Sequence, residues 1–103
     1  MEKVYVYTDS NGEYRVHPAV VVLSGNGNLR IFNATALKIT VKVPAGASKP
    51  NDPVEVDIPA EGHDDITARS QGNGKTKAYG YKVSTSTGKM AHGNSDPVLI
   101  IEN

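Results

Sequence analysis

The sequence contains no cysteine and no tryptophan, and it has only one phenylalanine among 103 residues. Without thiols the chain has no disulfide framework, zinc–thiolate site, thiol nucleophile, iron–sulfur cluster or thiolate-ligated copper. The 11 basic residues balance the 11 acidic ones, which argues against nucleic acid as a partner, because binding to phosphates needs clustered Lys and Arg. No window approaches the ~18 consecutive apolar residues of a membrane-spanning helix, so we expect no membrane partner.

The chain length predicts a single domain over residues 1–103. Two cores in a chain of this length would each approach the size at which disulfides or metals become necessary. The N-terminus leads from Met1-Glu2-Lys3 directly into alternating apolar residues, without the apolar segment of a signal peptide. We therefore expect a cytoplasmic protein by default, and a periplasmic or secreted one if a leader has been removed.

The residues that are abundant favour β-strands. Val, Ile, Thr, Tyr and Phe together number 31, whereas Leu and Glu number only 4 and 5. Apolar and polar residues alternate in segments 37–43, 54–58 and 79–83, as expected for strands with one buried face. Continuous apolar runs at 19–23 and 98–101 predict central strands that are covered on both sides.

Turn residues separate these segments at short intervals. Asn11-Gly12 predicts a hairpin between segments 3–8 and 13–17. Segment 60–65 is the one plausible helical turn, which Asp64 and Asp65 would cap. The pattern therefore predicts an all-β, single-domain Greek-key β-sandwich of about 7–8 strands.

Three side chains are candidate metal ligands: His63, Met90 and His92. Met90 and His92 lie two residues apart in a Gly-containing segment, and a thioether with an imidazole suits copper. The alternative interpretation is that both are ordinary loop residues. His63 precedes two aspartates and has the same two interpretations, a cation ligand or part of a capped turn.

No arrangement of residues predicts a catalytic centre. A serine hydrolase needs its nucleophile on a strained, glycine-flanked turn beside a histidine, and the chain has no serine in such a setting. We therefore expect the protein not to be an enzyme and to need no cofactor, with copper as the alternative.

The order of elements resembles the cupredoxin family, the plastocyanin and azurin type of Greek-key sandwich. Segment 20–23, a Gly-rich turn and Leu29-Arg30-Ile31-Phe32-Asn33 are similar to its second and third strands. Tyr79-Gly80-Tyr81-Lys82-Val83 is similar to its aromatic-x-aromatic-x-Cys strand. Segment 84–96 then takes the place of the ligand loop, and segment 97–102 that of the closing strand. An immunoglobulin-like sandwich is the alternative, but it usually has a core tryptophan or a disulfide.

The resemblance does not extend to the copper ligands. It would place the first histidine at 36–38, the thiolate at Val83 and the second histidine at Ser86, and only Met90 matches a ligand, the weak axial one. A blue-copper centre needs the thiolate and the imidazoles. The resemblance therefore implies the scaffold without its type 1 copper site.

These observations favour a non-enzymatic binding or interaction module, with an unknown protein or small ligand bound through the 84–96 loop. A copper or other transition-metal carrier using His63, Met90 and His92 is the alternative. We expect a monomer or a homodimer, with the lysine-bearing strand at 3–7 or the one with Lys38 and Lys42 as a protected sheet edge.

Overall fold

The computed structural model describes residues 1–91 and 96–102, and these form ten β-strands and no helix. The strands form three hydrogen-bonded sheets, with orders β2-β1-β4-β7, β3-β10-β8 and β6-β5-β9. Their bounds are β1 Glu2–Thr8, β2 Tyr14–His17, β3 Val20–Ser24, β4 Asn28–Asn33, β5 Ile39–Val43, β6 Val54–Ile58, β7 His63–Thr67, β8 Thr76–Gly80, β9 Lys82–Thr85 and β10 Val98–Glu102. Over this described part, no helix has the length and apolar character needed to cross a membrane.

The three sheets form the two layers of a sandwich. Only Tyr81 separates β8 from β9, so the two three-stranded sheets adjoin along one chain segment and make the second layer. A single core cluster draws side chains from all three sheets. In β5 the inward residues Ile39, Val41 and Val43 are at most 2% exposed, as their alternation with polar residues predicted. The predicted all-β sandwich is confirmed.

Neither of the two continuous apolar runs is a central strand covered on both faces, since Val98 and Ile100 of β10 are partly exposed. β10 does lie between β3 and β8, but β3 is at the edge of its sheet. Val20 and Val22 of β3 are 47% and 46% exposed, because no layer packs on the outer face there. Valine is favoured in strands whether its side chain is buried or exposed. The run of valines therefore does not show that only one face of β3 is buried.

The predicted helical turn at 60–65 is also wrong. Gly62 N–H donates to the Pro59 carbonyl at 3.0 Å in a tight turn, and the chain is extended from His63 onwards. Pairing with β4 provides the backbone hydrogen bonds that a helix would otherwise have supplied. Asp65 therefore caps no helix, and instead accepts two hydrogen bonds from Arg30, at 2.8 and 3.1 Å.

The strands expected at the edges are central. β1 lies between β2 and β4, and β5 lies between β6 and β9. The hairpin predicted at Asn11-Gly12 does connect β1 and β2. It is a wider turn than two residues, closed by Asp9 N–H donating to the Glu13 carbonyl at 2.8 Å.

Candidate functional site

Several turns meet at the end of the sandwich where β4 runs into β5. Asn33 N–H donates to the Gly62 carbonyl at 2.8 Å, and Ala34 N–H donates to the Val6 carbonyl at 2.8 Å. Ser86 N–H donates to the Lys38 carbonyl at 2.9 Å. The structure thus brings together Lys38 and Ser86, two positions at which the cupredoxin resemblance would have placed histidines.

Asn33 holds this end together from inside. Its side chain is 1% exposed, and its Nδ2 donates to the carbonyls of Leu37, Ile58 and Pro59 at 2.8, 3.0 and 3.1 Å. Its Oδ1 accepts from the Thr35 backbone and hydroxyl at 3.0 and 2.7 Å. A buried amide whose hydrogen bonds are all made fixes the connection between the layers.

Segment 84–91 is a tight hairpin. Thr85 N–H donates to the Lys89 carbonyl at 2.8 Å, and Ala91 N–H donates to the Val83 carbonyl at 2.8 Å. The Thr85 and Thr87 hydroxyls lie 3.0 Å apart, within hydrogen-bonding distance. The first half of the predicted long loop is therefore ordered by backbone pairing.

The hairpin occupies the place where the resemblance would put the copper ligands. Val83 stands at the thiolate position, is fully buried and pairs with Val41. Within residues 1–91 and 96–102, no three His, Cys, Asp or Glu side chains come together as a metal site would require. Where the resemblance would put the thiolate and the second histidine, this end therefore has an apolar and a hydroxyl side chain.

The candidate metal ligands have different surroundings. The His63 ring packs against Phe32, with ring centroids 5.5 Å apart, on the outer face of the β2-β1-β4-β7 sheet. Met90 pairs with Ser84 of β9 and is 39% exposed. His92 lies outside the described residues, so a site built from these three stays a prediction.

The sequence pattern missed a row of rings across the four-stranded sheet. The register places His17, Tyr5, Phe32 and His63 side by side on adjacent strands. Tyr5 and Phe32 stack with centroids 5.1 Å apart and ring planes 12° apart. The spacing along the sequence gives no sign of this row, because its members come from four separate strands.

The Arg30–Asp65 pair lies on the same sheet. The two hydrogen bonds from Arg30 lower the pKa of the Asp65 carboxyl below its usual range, against the opposing effect of desolvation. The Asp9 carboxyl likewise has a lowered pKa, first because the Glu13 backbone N–H donates to it and then because Arg15 does. Both carboxylates are thus stabilised as structural anions.

Two neighbouring pockets, together called the groove, share Gly80 and Lys82 where β8 leads into β9. On one side of Gly80 is a pocket of about 190 Å³. On the other is a pocket of about 170 Å³. The first is lined by Gly80, Tyr81, Lys82, Met90, Ala91, Asp96 and Pro97, and the second by Lys42, Val43, Pro44, Pro53, Gly80 and Lys82.

Gly80 lies between the two halves of this groove, and only its backbone is present there. A Cβ atom added there would meet nothing within 4 Å, so the absent side chain leaves open space. Lys82 is shared by both pockets and is exposed. The groove thus combines an apolar lining with a lysine at its centre.

The hydroxyl of Tyr81 lies in the protein interior beneath the groove. It is 3% exposed, and its hydroxyl has no hydrogen-bond partner among the described residues. Burial raises the pKa of the Tyr81 phenol to about 12. By contrast, the Tyr79 hydroxyl donates to Gln71 Oε1 at 2.6 Å.

Comparison with known proteins identifies the fold. No protein family model and no curated protein match the sequence. Amicyanin from Paracoccus versutus superposes with a TM-score of 0.59 at 14% identity, over 97% of this chain and 81% of amicyanin. A Cu(I) form of an amicyanin variant gives a TM-score of 0.61 at 12% identity, over 99% and 84% of the two chains. The likeness shows a cupredoxin-like fold, as the order of elements predicted.

Proposed function

We propose that this protein is a non-enzymatic binding module that holds an apolar group bearing a carboxylate in the groove on either side of Gly80. The observation that carries the proposal is the open backbone at Gly80 between two concave surfaces. Binding sites on rigid sheet scaffolds combine an apolar lining with a few polar groups that fix orientation.

The apolar part of the ligand fits the half of the groove beside Met90. Ala91 and Pro97 are buried there, and the partly exposed Met90 adds a flexible thioether side chain that adapts to irregular shapes. Asp96 also lines this half, and its carboxylate repels an anion. The charged end of the ligand therefore belongs on the far side of Gly80.

The carboxylate fits the half of the groove that contains Lys42 and Lys82. Lys42 already lies 3.8 Å from Glu55, whereas Lys82 forms no ion pair within the described residues. An exposed lysine attracts an anion only weakly in water, by about 0–1 kcal/mol. Most of the affinity must therefore come from the apolar part.

Two features favour binding over catalysis or copper transport. In the described structure, neither His17 nor His63 forms a hydrogen bond or ion pair with a hydroxyl or carboxylate side chain. Such a partner is what a general base normally has. The positions that carry the copper ligands in the cupredoxin resemblance hold Val83 and Ser86, which supply neither thiolate nor imidazole.

An NMR titration with hexanoate and its uncharged analogue hexanamide tests this function. We expect saturable amide shifts centred on Gly80, Lys82 and Ala91, with hexanoate binding more tightly than hexanamide. Gly80→Val should abolish both sets of shifts, because its side chain fills the open space. Ala78→Val places the same valine side chain two residues away on the outer face, and should leave binding intact.

Lys82→Gln separates the two parts of the proposal. It should remove the preference for hexanoate while retaining hexanamide binding. Shifts that are absent, or that centre on the ring row instead, would show that the groove is not the site.

Titration with Cu(I) and Cu(II) addresses the metal alternative, and we expect no tight 1:1 binding and no shift of the His63 or His92 ring resonances.

A further inference from the structure

Strand β3 presents an open hydrogen-bonding edge. Val98 N–H donates to the Ala19 carbonyl, and Gly25 N–H donates to the Glu102 carbonyl, each at 2.8 Å. In this parallel ladder the backbone groups of Val21 and Leu23 therefore face β10, and those of Val20 and Val22 face the opposite way. No other strand of the described chain pairs with β3 on that side.

The outer face beside this edge is apolar. The register places Val20 beside Val98, and Val22 beside Ile100, which in turn pairs with Ala78. The two β3 valines are nearly half exposed, and Val98 and Ile100 are partly exposed. A partner at the β3 edge would therefore cover apolar side chains as well as backbone groups.

Charge distinguishes the β3 edge from the other outer strands. Two copies of β7 would bring Asp64 and Asp65 of each copy together, and two copies of β6 would bring Glu55 against Asp57. Strands β2, β8 and β9 each carry a basic residue. The segment Val20–Ser24 carries no charge at all, so β3 lacks the charged residues that usually protect an edge.

We propose that two copies of this chain associate by antiparallel pairing of their β3 strands about a two-fold axis at Val22. In that register Val22 lies opposite Val22 of the second copy, and Val20 lies opposite Ser24. The backbone N–H and C=O of the two Val22 residues exchange hydrogen bonds. The valine side chains meet on the outer face, and β3 brings no charge of its own against its copy. This self-complementarity identifies the partner as an identical copy.

The association is weak. Strands of five residues bury less than the roughly 800 Å² per partner of a standard stable interface. The dimer should therefore form only at high protein concentration, and dissociate on dilution. This inference is independent of the proposed function, because Gly80 and Lys82 are not part of the β3 edge.

Sedimentation equilibrium of the full chain over a range from micromolar to millimolar concentration tests the proposal. We expect the apparent mass to rise from one chain towards two and no further. Val22→Pro removes the N–H that faces the second copy but leaves the bonds to β10 intact, so it should abolish the rise. Val22→Thr keeps both the N–H and the β-branched shape, and should retain dimerisation.

Amide hydrogen exchange provides a second measurement that needs no variant. At low concentration the Val22 amide should exchange far faster than those of Val21 and Leu23. At high concentration it should become protected by at least tenfold, while the exposed amides of the other edges do not change. The proposal would be overturned if the chain stays monomeric at millimolar concentration or grows into larger assemblies. It would also be overturned if the Val22→Pro variant dimerises as well as the wild type.

Discussion

At the level of single residues, Tyr81 stands out because its buried hydroxyl lacks a partner among the described residues. An unsatisfied buried polar group costs about 1–3 kcal/mol. Tyr81→Phe should therefore raise the free energy of unfolding by about 1 kcal/mol or more, measured by denaturant titration. Tyr79→Phe is the matched control, and should lower it because the bond to Gln71 is lost. Equal effects of the two variants would contradict this prediction.

The buried phenol of Tyr81 also leads us to expect a loss of stability in alkali. Its folded pKa of about 12 lies above the ordinary value of 10.0, so the folded state holds the phenolic proton more tightly. This contribution to stability is complete below about pH 10, and disappears as the pH rises through the folded pKa. Unfolding measured from pH 9 to 12 should show a smaller decline in Tyr81→Phe than in the wild type.

Asn33 is the residue whose importance the sequence least revealed. Asn33→Asp places a carboxylate against the three carbonyl oxygens that the amide now satisfies. We expect a loss of about 3 kcal/mol or more in the free energy of unfolding, because the buried carboxylate oxygen that replaces Nδ2 then faces three acceptors and no donor. Thr35→Val removes only the hydroxyl contacts, and should cost about 1 kcal/mol. If the denaturation midpoint of Asn33→Asp equals that of the wild type, the structural role assigned to Asn33 is wrong.

At the level of elements, the hairpin of residues 84–91 depends on Gly88. This glycine has φ of 87°, in the left-handed region that side chains disfavour, and a Cβ there would meet nothing within 4 Å. Gly88→Ala should therefore lower the free energy of unfolding by about 1–2 kcal/mol through backbone strain alone. Gly80→Ala adds the same atom in a strand with open space, and thermal unfolding should show no loss.

Local sequence could not distinguish this hairpin from a loop. Residues 84–91 are rich in Ser, Thr and Gly, which occur in turns and in irregular segments alike. The ordering comes from β9, whose residues Val83 and Thr85 hold the returning strand by backbone bonds. Local sequence was insufficient for β7 in the same way, because its pairing with β4 makes the segment a strand where a helical turn was predicted.

At the level of the whole molecule, the period-two pattern was sufficient to predict the fold class. Alternation at 39–43 and 79–83 marked the inward residues, because a strand with one buried face must repeat every two positions. Alternation does not specify which strands are neighbours, so the edge positions of β3 and the central positions of β1 and β5 could not be predicted. The ring row and the groove at Gly80 depend on those neighbours, and were missed for the same reason.

The division of the second layer into two sheets has a consequence for how the molecule opens. Strands β6, β5 and β9 bond to one another, and among the described residues no strand ladder joins them to β3, β10 and β8. At the junction Tyr81 N–H donates to the Pro97 carbonyl at 3.0 Å, and the rest of the contact is side-chain packing. We expect two cooperative units in native-state hydrogen exchange, with β5 and β6 amides opening at lower free energy than those of β10. Identical opening free energies for Val41 and Leu99 amides would indicate a single unit. With two units, the break beside Gly80 is a boundary along which part of the protein can unfold while the rest stays native.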